Sequence, residues 1–183
     1  MTRGLLILLA LLCLWCSDGP LARDEEENGD EVRVRVEGLA LDDNADTPVV
    51  ILVEVDGQRR LPIWIGLAEA HSIAAELNKQ PAPRPNAHDL AKRLIEGLQG
   101  AVRRIVVTDL RDGVYYARID LEQRGRIITV DARPSDAIAI GLRLGAPLFV
   151  RAALFETGGL EPQSPGKEVR GGASERQVRV REL

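Results

Sequence analysis

The chain has 183 residues, which is enough for one domain with its own core, and 45% of the residues are hydrophobic, as is typical of a globular protein. The formal net charge is −4, and the acidic excess lies at the amino terminus: residues 1–31 carry 7 acidic and 2 basic side chains, whereas residues 32–156 carry 17 of each sign. Binding of polyanions through bulk positive charge is therefore excluded, and any basic face must be local.

The first sixteen residues predict an export signal. Arg3 precedes an unbroken apolar run over residues 5–15, which has the length of a signal peptide and is too short to span a bilayer. We predict a signal peptide over residues 1–16, an acidic linker over 17–31, and an exported protein that is periplasmic or attached to the envelope. Cys16 is the candidate for lipidation, which would make a lipid anchor the membrane contact. A lipoprotein site has a small residue directly before the cysteine, whereas this chain has Trp15 there. Cleavage without lipidation is therefore an open alternative.

The segment from Val32 to residue 65 shows the period-two alternation of β-strands. Valines at positions 32, 34 and 36 alternate with charged residues, and the parity changes after Gly38, which predicts a β-bulge. A β-branched run over residues 49–55 predicts a strand covered on both faces. Asp56 and Gly57 then form a turn signal, and residues 60–65 predict the returning strand.

Two helices are predicted next, separated by a loop with three prolines over residues 80–86. The first covers residues 66–79. The second begins after Asn86, an N-cap residue answered by Asp89 in the manner of a capping box. Leucines at positions 90, 94 and 98 fall on one side of this second helix, and the spacing predicts that they form its buried face.

Three strands over residues 101–110, 114–122 and 126–132 predict an antiparallel meander, because Asp-Gly and Arg-Gly turns separate them. A helix that ends at Gly145, a short strand over residues 147–150 and a brief element over 151–156 follow. The fold class is thus α+β: a single compact domain over residues 32–156, with a mixed, largely antiparallel sheet and about three helices. The glycines, prolines and charges of residues 157–183 predict a disordered tail.

The junction between the third meander strand and the next helix is unusually polar. Asp131, Arg133, Ser135 and Asp136 lie within six residues, around a proline. Proline suits the first turn of a helix, and Ser135 and Asp136 can accept hydrogen bonds from its free amides. A well-capped helix start therefore explains this segment, unless partners from elsewhere in the chain give it a chemical role.

Three segments together resemble the bifunctional nuclease family. They are IGLAEA at residues 65–70, RPNAHDL at residues 84–90 and DARPSDAIA at residues 131–139. The resemblance covers about residues 32–156. It implies a compact α/β domain found in bacteria and plants, with DNase and RNase activity attributed to some members, and hence DNA or RNA as the substrate.

The chain departs from the family pattern in two ways. The family usually has a threonine directly before the His-Asp pair, where this chain has Ala87. If that threonine is an N-cap, Asn86 replaces it; if it contacts substrate or metal, activity is in doubt. The exported leader is the second departure, because the family is mostly intracellular.

With this resemblance, the three segments predict a metal-assisted nuclease. Hydrolysis of a phosphodiester needs an activated water and stabilisation of charge on the phosphoryl oxygens. We hypothesise that Asp131, Asp136 and Glu69 hold Mg²⁺ or Mn²⁺, which prefer oxygen ligands.

The remaining polar residues of the segments are candidates for proton transfer and for binding the phosphate. His88, oriented by Asp89, is the candidate general base or acid. Arg84 and Arg133 are the candidates for a phosphate clamp, with Ser135 as a further substrate-binding residue.

Two alternatives stay open. The same charged residues can instead form an ion network that fastens the helix starts to the sheet, and the domain can be a non-catalytic envelope module that binds an anionic ligand or a partner protein. Convergence of Asp131, His88 and Glu69 on one open cleft would favour catalysis, whereas closed pairs would favour the ion network. The sequence leaves the oligomeric state open and allows a homo-oligomer.

Overall fold

The computed structural model describes residues 30–42, 45–80, 82–158 and 180–182. In this part of the chain, one sheet and four helices form an α+β domain, which confirms the predicted class. The strands are β1 (Glu31–Asp42), β2 (Thr47–Glu54), β3 (Arg60–Trp64), β4 (Gly100–Arg111), β5 (Val114–Gln123), β6 (Arg126–Ala132), β7 (Leu148–Arg151) and β8 (Val180–Glu182). The helices are α1 (Leu67–Leu77), α2 (Ala87–Gly97), α3 (Pro134–Leu144) and α4 (Ala153–Gly158).

The sheet joins two antiparallel units through one parallel contact. Its order is β3-β2-β1-β7-β4-β5-β6, and β8 pairs with the end of β1. β7 runs antiparallel to β1 and parallel to β4, so this short strand connects the hairpins β1–β3 with the meander β4–β6. The mixed, largely antiparallel sheet is confirmed.

Local sequence signals account for the bulge and turns of the sheet. The register between β1 and β2 shifts between Val36 and Gly38, as the change in parity predicted. In the two meander turns, Asp112 and Gly113 have φ values of 50° and 78°, and Arg124 and Gly125 have values of 50° and 73°. Two successive positive φ angles are the geometry of a type I′ hairpin turn, so these residues explain why β4, β5 and β6 are consecutive neighbours.

Helix α3 occupies the centre of the helical layer. β6 lies at one edge of the sheet and β7 near its middle, so the helix that connects them must cross β5 and β4, and it packs on both strands and on α1. Ala137, Ile138 and Ala139 are fully buried. Gly145 ends the helix in the left-handed conformation with φ 64°, as predicted.

The contact between α3 and β4 depends on a glycine, and this gives a first prediction. A Cβ atom at Gly141 would lie 2.7 Å from Cγ1 of Ile105, which is too close for a close-packed core to absorb without a shift. We expect Gly141→Ala to lower the free energy of unfolding by about 1–2 kcal/mol, since overpacking exceeds the gain in helix propensity of about 1 kcal/mol.

The matched control for this substitution is Gly97→Ala in α2, where a Cβ atom would have no heavy atom within 4 Å. It should leave the urea midpoint unchanged or raise it. Equal effects of the two substitutions would contradict the proposed close approach of α3 to β4.

Two predictions about surfaces and tails are corrected by the structure. Leu90, Leu94 and Leu98 are 55%, 56% and 64% exposed, so the predicted buried face of α2 is wrong: the spacing identified an apolar face, but no described element covers it. In the predicted disordered tail, residues 157–158 instead belong to α4 and residues 180–182 form β8.

The remaining predictions for the two ends of the chain concern residues whose structure is not described. The signal peptide and Cys16 lie outside the described residues, as do nearly all of the acidic linker and residues 159–179 of the tail. Within the described ranges, no helix is long and apolar enough to cross a membrane.

Candidate functional site

The first turns of α1, α2 and α3 lie close together. Glu69 lies in the first turn of α1, His88 and Asp89 lie in the first turn of α2, and Asp136 lies in the first turn of α3. Carboxylates are favoured at these positions, because the free amides of a helix start carry partial positive charge. The fold therefore brings together acidic residues that are up to 67 positions apart in the sequence.

The cap of α2 is the predicted one. Asn86 accepts hydrogen bonds from the amides of His88 and Asp89, and Asp89 accepts one from the amide of Asn86, which completes a capping box. Asn86 thus fills the N-cap role next to Ala87. At the start of α3, by contrast, Arg133 occupies the N-cap position and no side chain caps the helix, so the predicted capping by Ser135 and Asp136 is wrong.

Arg133 links two of the candidate carboxylates. Its Nε and Nη2 donate to Asp136 at 2.7 and 3.0 Å, and Nη2 also donates to Glu69 at 2.6 Å. Gly66 allows this arrangement, because a Cβ atom there would collide with the Glu69 carboxylate. The Arg133 side chain nevertheless stays 66% exposed, and no bond from its Nη1 atom to the described residues is found. One edge of the guanidinium therefore faces solvent.

The pKa values of this pair follow from the contacts. Burial opposes ionisation of Asp136, but hydrogen bonds from Arg133 and His88 outweigh it, so the pKa of this carboxyl lies below its ordinary value. The pKa of Arg133 is raised by its hydrogen bonds, first to Asp136 and then to Glu69. Near neutral pH both partners are charged, and the guanidinium is held in place by two carboxylates.

His88 is fixed through both ring nitrogens. Its Nδ1 lies 2.8 Å from the hydroxyl of Ser72, and its Nε2 lies 3.1 Å from Asp136. The Ser72 oxygen also accepts from Asn86 Nδ2 and Arg143 Nη2, which fills its two lone pairs. Its hydroxyl proton is then left for Nδ1, and this assignment places the imidazole proton on Nε2, directed at Asp136.

This chain of contacts has the order aspartate, histidine and serine, but it does not make a serine nucleophile. Ser72 is only 6% exposed, and all of its hydrogen-bonding capacity is used within the protein. A nucleophilic serine must reach its substrate. Ser72 therefore positions His88.

Arg143 is the buried centre of the cluster. Its Nε donates to Asp89 at 2.6 Å, its Nη1 donates to the carbonyl of Ala139, and its Nη2 donates to both oxygens of Ser72. The pKa of Asp89 is lowered, first by the hydrogen bond from Arg143 and then by the one from the amide of Asn86. Asp89 thus holds Arg143 and the helix cap, whereas the imidazole of His88 is oriented by Ser72 and Asp136.

Two members of the cluster were not foreseen in the sequence. Ser72 is polar at a position next to the buried Ile73 of α1, and Arg143 is charged within the apolar helix α3. Arg143 is also seven residues after Asp136, which places both on one face of the helix. A charged residue inside an otherwise apolar helix was the signal that could have identified Arg143.

Asp131 does not join the other candidates. It lies opposite Arg118 across the pair β5–β6, and Thr129, two residues earlier on the same face, donates to Asp120. Because side chains alternate between the faces of a strand, Asp131 faces away from the helices. There it lines a separate cleft of about 400 Å³ that also includes Arg151.

The side chains of the last two candidates form no hydrogen bond or ion pair with Arg133 or Asp136 among the described residues. Arg84 is exposed in the loop after α1, where it makes no ion pair with any described residue. Ser135 is buried within α3, so its hydroxyl is not positioned to contact a substrate.

The described carboxylates do not fit a resident metal ion. No group of three or more His, Cys, Asp or Glu side chains among them could hold one. Glu69 and Asp136 instead direct their oxygens to the guanidinium of Arg133, Asp89 is bonded to Arg143, and Asp131 lies on the other face. The charge that a divalent ion would supply between Glu69 and Asp136 is supplied here by Arg133.

A groove of about 570 Å³ adjoins the cluster at Asn86 and Asp89. It runs between the end of α1, the proline loop and α2, and the basic residues that line it are Lys79, Lys92, Arg93 and Arg143. Glu76, Asp89 and Glu96 line it as well and form ion pairs with Lys79, Arg143 and Lys92, so this groove is a surface of mixed charge beside the cluster.

The structure is thus an α+β domain in which the first turns of α1, α2 and α3 lie close together. There Arg133 is exposed and is held by two carboxylates. Residues 50–163 match the model of the bifunctional nuclease domain, and this match spans more than half of the chain. The chain belongs to the bifunctional nuclease domain family.

Similar proteins occur in bacteria and plants. A protein of Mycobacterium tuberculosis, named only as uncharacterized, is 42% identical over 127 residues, which are 69% of this chain and 76% of that protein. Bifunctional nuclease 1 of Oryza sativa subsp. japonica is 30% identical over 131 residues, and bifunctional nuclease 1 of Arabidopsis thaliana is 28% identical over 135 residues. The chain spans only 40% and 42% of these two plant proteins.

Proposed function

We propose that the protein is a nuclease that hydrolyses phosphodiester bonds of DNA or RNA at Arg133 and Asp136. Membership of the family supports a nuclease-like function, and the observation that carries the site is the guanidinium of Arg133, which is held from behind by Asp136 and Glu69 and open at Nη1. A rigid, exposed arginine is suited to bind a phosphodiester oxygen, because its planar N–H groups match phosphate geometry.

Asp136 is the proposed general base. Its Oδ1 accepts from His88 and Arg133, whereas its Oδ2 accepts only from Arg133 Nε within the described residues. Oδ2 therefore keeps a lone pair for a water molecule beside the phosphate on Nη1. The water attacks phosphorus, its proton passes to Asp136, and the bond to the leaving nucleotide oxygen breaks, so that this oxygen departs with the bonding electron pair and takes a proton from solvent. Arg133 stabilises the negative charge that develops on the phosphoryl oxygens.

His88 is a positioning residue in this proposal. Its Nε2 proton is directed at Asp136 Oδ1, so it keeps the carboxylate oriented and leaves Oδ2 toward the water. Ser72 holds the imidazole in the required tautomer. No step is assigned to a metal ion, since the carboxylates that would bind one are engaged by Arg133.

The groove beside the cluster supports a polyanionic substrate. Lys79, just after α1, and Lys92 and Arg93 of α2 line it, where they can meet phosphates that neighbour the reacting one. Such contacts make binding weaken as salt concentration rises. The setting that we propose is an exported one, because of the apolar run over residues 5–15. Nucleic acid outside the cytoplasm would then be the substrate.

The test is cleavage of end-labelled single-stranded DNA and RNA by the full-length chain, in EDTA and in added Mg²⁺ or Mn²⁺. We expect cleavage of at least one substrate that persists in EDTA and declines with salt. Cleavage only with an added divalent ion would contradict the assignment of the cationic role to Arg133. No cleavage under any condition would contradict the nuclease itself.

A second function, binding of an anionic ligand without cleavage, is favoured by one observation: Glu69, Asp89 and Asp136 are all in closed pairs with arginines. The same oligonucleotides distinguish the two functions. Retention of intact oligonucleotide, with affinity lost in Arg133→Gln, would support the binding module.

A further inference from the structure

The sheet has a second face, opposite the core in which the helices pack. Ile105, Val107 and Ile119 point into that core. Because side chains alternate along a strand, Arg104 of β4 and Arg118 of β5 point to the outer face. The outer face therefore carries charged residues within the sheet and not only at its edges.

Two buried carboxylates hold two arginines at the centre of this outer face. Glu31 accepts from Arg104 Nη1 at 2.8 Å and from Arg118 Nη2 at 2.9 Å. Asp120 accepts from Arg104 Nε at 2.7 Å. The side chains of Glu31 and Asp120 are only 5% and 6% exposed, so these four charges compensate one another and form a fixed centre.

Three further arginines lie around this centre without a carboxylate partner. Arg33 and Arg35 follow Glu31 at alternate positions of β1, and Arg151 pairs with Glu31 across β1 and β7. None of the three arginines forms an ion pair with any described residue. The adjoining cleft of about 400 Å³ contributes one carboxylate that has no such partner either, Asp131. This part of the outer face therefore has an excess of positive charge.

Two aromatic side chains lie among these arginines. Tyr116 is on the outer face because the next residue, Ala117, is in the core. It is 38% exposed, and the guanidinium carbon of Arg111 lies 5.1 Å from the centroid of its ring. Phe149 is half-buried and pairs with Arg33 across β1 and β7. Aromatic rings that alternate with basic side chains suit single-stranded nucleic acid, because bases stack on the rings while the phosphates contact the cations.

We propose that this outer face binds single-stranded DNA or RNA, with bases stacked on its aromatic rings and phosphates on its arginines. Single strands are selected over duplexes, because the bases of a duplex are stacked on each other and cannot reach the rings. The use of the bound strand as a substrate rests on the proposed nuclease function, whereas binding does not. We call the residues that form this site the arginine face: Arg33, Arg35, Arg118, Arg151, Tyr116 and Phe149.

The arginine face leads to the arginine of the proposed cleavage site. β6 ends at Ala132, which pairs with Ala117 of β5. Tyr116 and Arg133 are therefore the next residues on the two neighbouring segments. A nucleic acid strand that stacks on Tyr116 reaches Arg133 around the end of β6, so the outer face would hold the strand whose phosphodiester lies at Arg133.

The test is the affinity of the full-length chain for a fluorescein-labelled strand of about 12 nucleotides, within the range of known single-strand sites, measured by fluorescence anisotropy. Every variant also carries Asp136→Asn, which keeps the strand intact. We expect the single strand to bind at least about tenfold more tightly than the duplex of the same sequence. Tyr116→Leu and Phe149→Leu should each weaken binding of the single strand at least about fivefold, the lower end of the effect of one stacked base.

The arginines are tested by the salt dependence of the same binding. Arg33→Gln and Arg151→Gln should each lower the slope of log affinity against log salt concentration by about 0.7, the value for one phosphate contact on a single strand. The matched control is Arg126→Gln, since Arg126 is exposed and lies on the core side of β6, in step with Val130 opposite Ile119. It should leave both the affinity and the slope unchanged.

A second control separates stacking from folding. Tyr116→Phe keeps the ring and should retain the affinity that Tyr116→Leu loses, and the thermal midpoints of the two variants should agree within a few degrees. If Tyr116→Phe weakens binding as much as Tyr116→Leu does, stacking on this ring is contradicted.

Other outcomes would overturn the proposal as a whole. Equal affinity for single strand and duplex, or losses in the arginine variants without losses in Tyr116→Leu and Phe149→Leu, would show binding of polyanions by charge alone. Unchanged binding in all four variants would place the nucleic acid elsewhere, even if the wild type cleaves it. Absence of cleavage by the wild type, with the expected binding effects intact, would contradict only the nuclease function.

Discussion

Asp136→Asn is expected to lower the rate of phosphodiester cleavage by about 100-fold or more, the range of effects for a positioned general base. The amide is uncharged and cannot accept the proton of the attacking water. It also weakens the hold on Arg133, whose Nε and Nη2 both donate to this carboxylate. The measurement is the initial rate on the preferred oligonucleotide at saturating concentration, with substrate affinity determined separately by fluorescence anisotropy.

Asp131→Asn is the matched control, because Asp131 lies five residues earlier on the other face of the sheet. It should keep the wild-type rate. Equal losses in the two variants would restore the hypothesis that Asp131 and Asp136 act together, as metal ligands or otherwise. Wild-type activity in Asp136→Asn would remove Asp136 from the mechanism, provided that both variants retain the wild-type thermal midpoint within a few degrees.

Arg143→Met is expected to cause the largest loss of stability, about 3 kcal/mol or more in the free energy of unfolding. Methionine retains much of the apolar volume but none of the donors, so Asp89 and the oxygens of Ser72 and Ala139 each lose a hydrogen bond, although Asp89 keeps the amide of Asn86 and the Ser72 hydroxyl keeps its contacts with Asn86 and His88. Removing one member of a fully buried ion pair costs about 3–5 kcal/mol. The Asp89 side chain is 31% exposed, so the ion pair contributes less than this range, and each further hydrogen bond that is lost adds about 1 kcal/mol. Urea unfolding at constant m value measures the effect.

The pH dependence of this loss has a definite sign. Arg143 lowers the pKa of Asp89 in the folded protein, so its stabilising effect is present above the unfolded carboxyl pKa of about 3.9. That effect disappears as the pH falls through the lower folded pKa. The difference between wild type and Arg143→Met should therefore be largest near neutral pH and smaller below about pH 4.

Arg93→Met, on the exposed side of α2, is the control for this substitution and should change stability by no more than about 0.5 kcal/mol. A similar, small effect of Arg143→Met would show that the buried ion pair with Asp89 contributes little. If the difference in unfolding free energy between wild type and Arg143→Met does not change with pH, the loss of stability comes from packing and not from the ion pair with Asp89.

Local chemistry made much of the fold predictable. The bulge at Gly38, the Asp112-Gly113 and Arg124-Gly125 turns and the capping box at Asn86 each depend on neighbours within a few residues. The alternation of Val32, Val34 and Val36 likewise records which face of a single strand is covered. Such features are readable in a sequence because the interacting groups are close along the chain.

The sequence predicted several residues of the candidate site but not how they are arranged. Glu69, His88 and Asp136 do come together, yet Asp131, only five residues from Asp136, faces the opposite side of the sheet. Strand alternation ends where α3 begins, so spacing within one segment could not show which carboxylate would meet the other helices. Ser72 and Arg143 were missed because their roles depend on contacts between α1, α2 and α3.

The sequence by itself determined the family, the strand and helix order, and the presence of charged residues at three helix starts, since these follow from local pattern and from motif identity. Only the tertiary structure decided that Arg133 lies between Glu69 and Asp136, that His88 is held between Ser72 and Asp136, and that the leucines of α2 face outward. The physical reason is the same in each case. Ion pairs and burial depend on which elements pack together, and that is set by the crossing of α3 over the sheet.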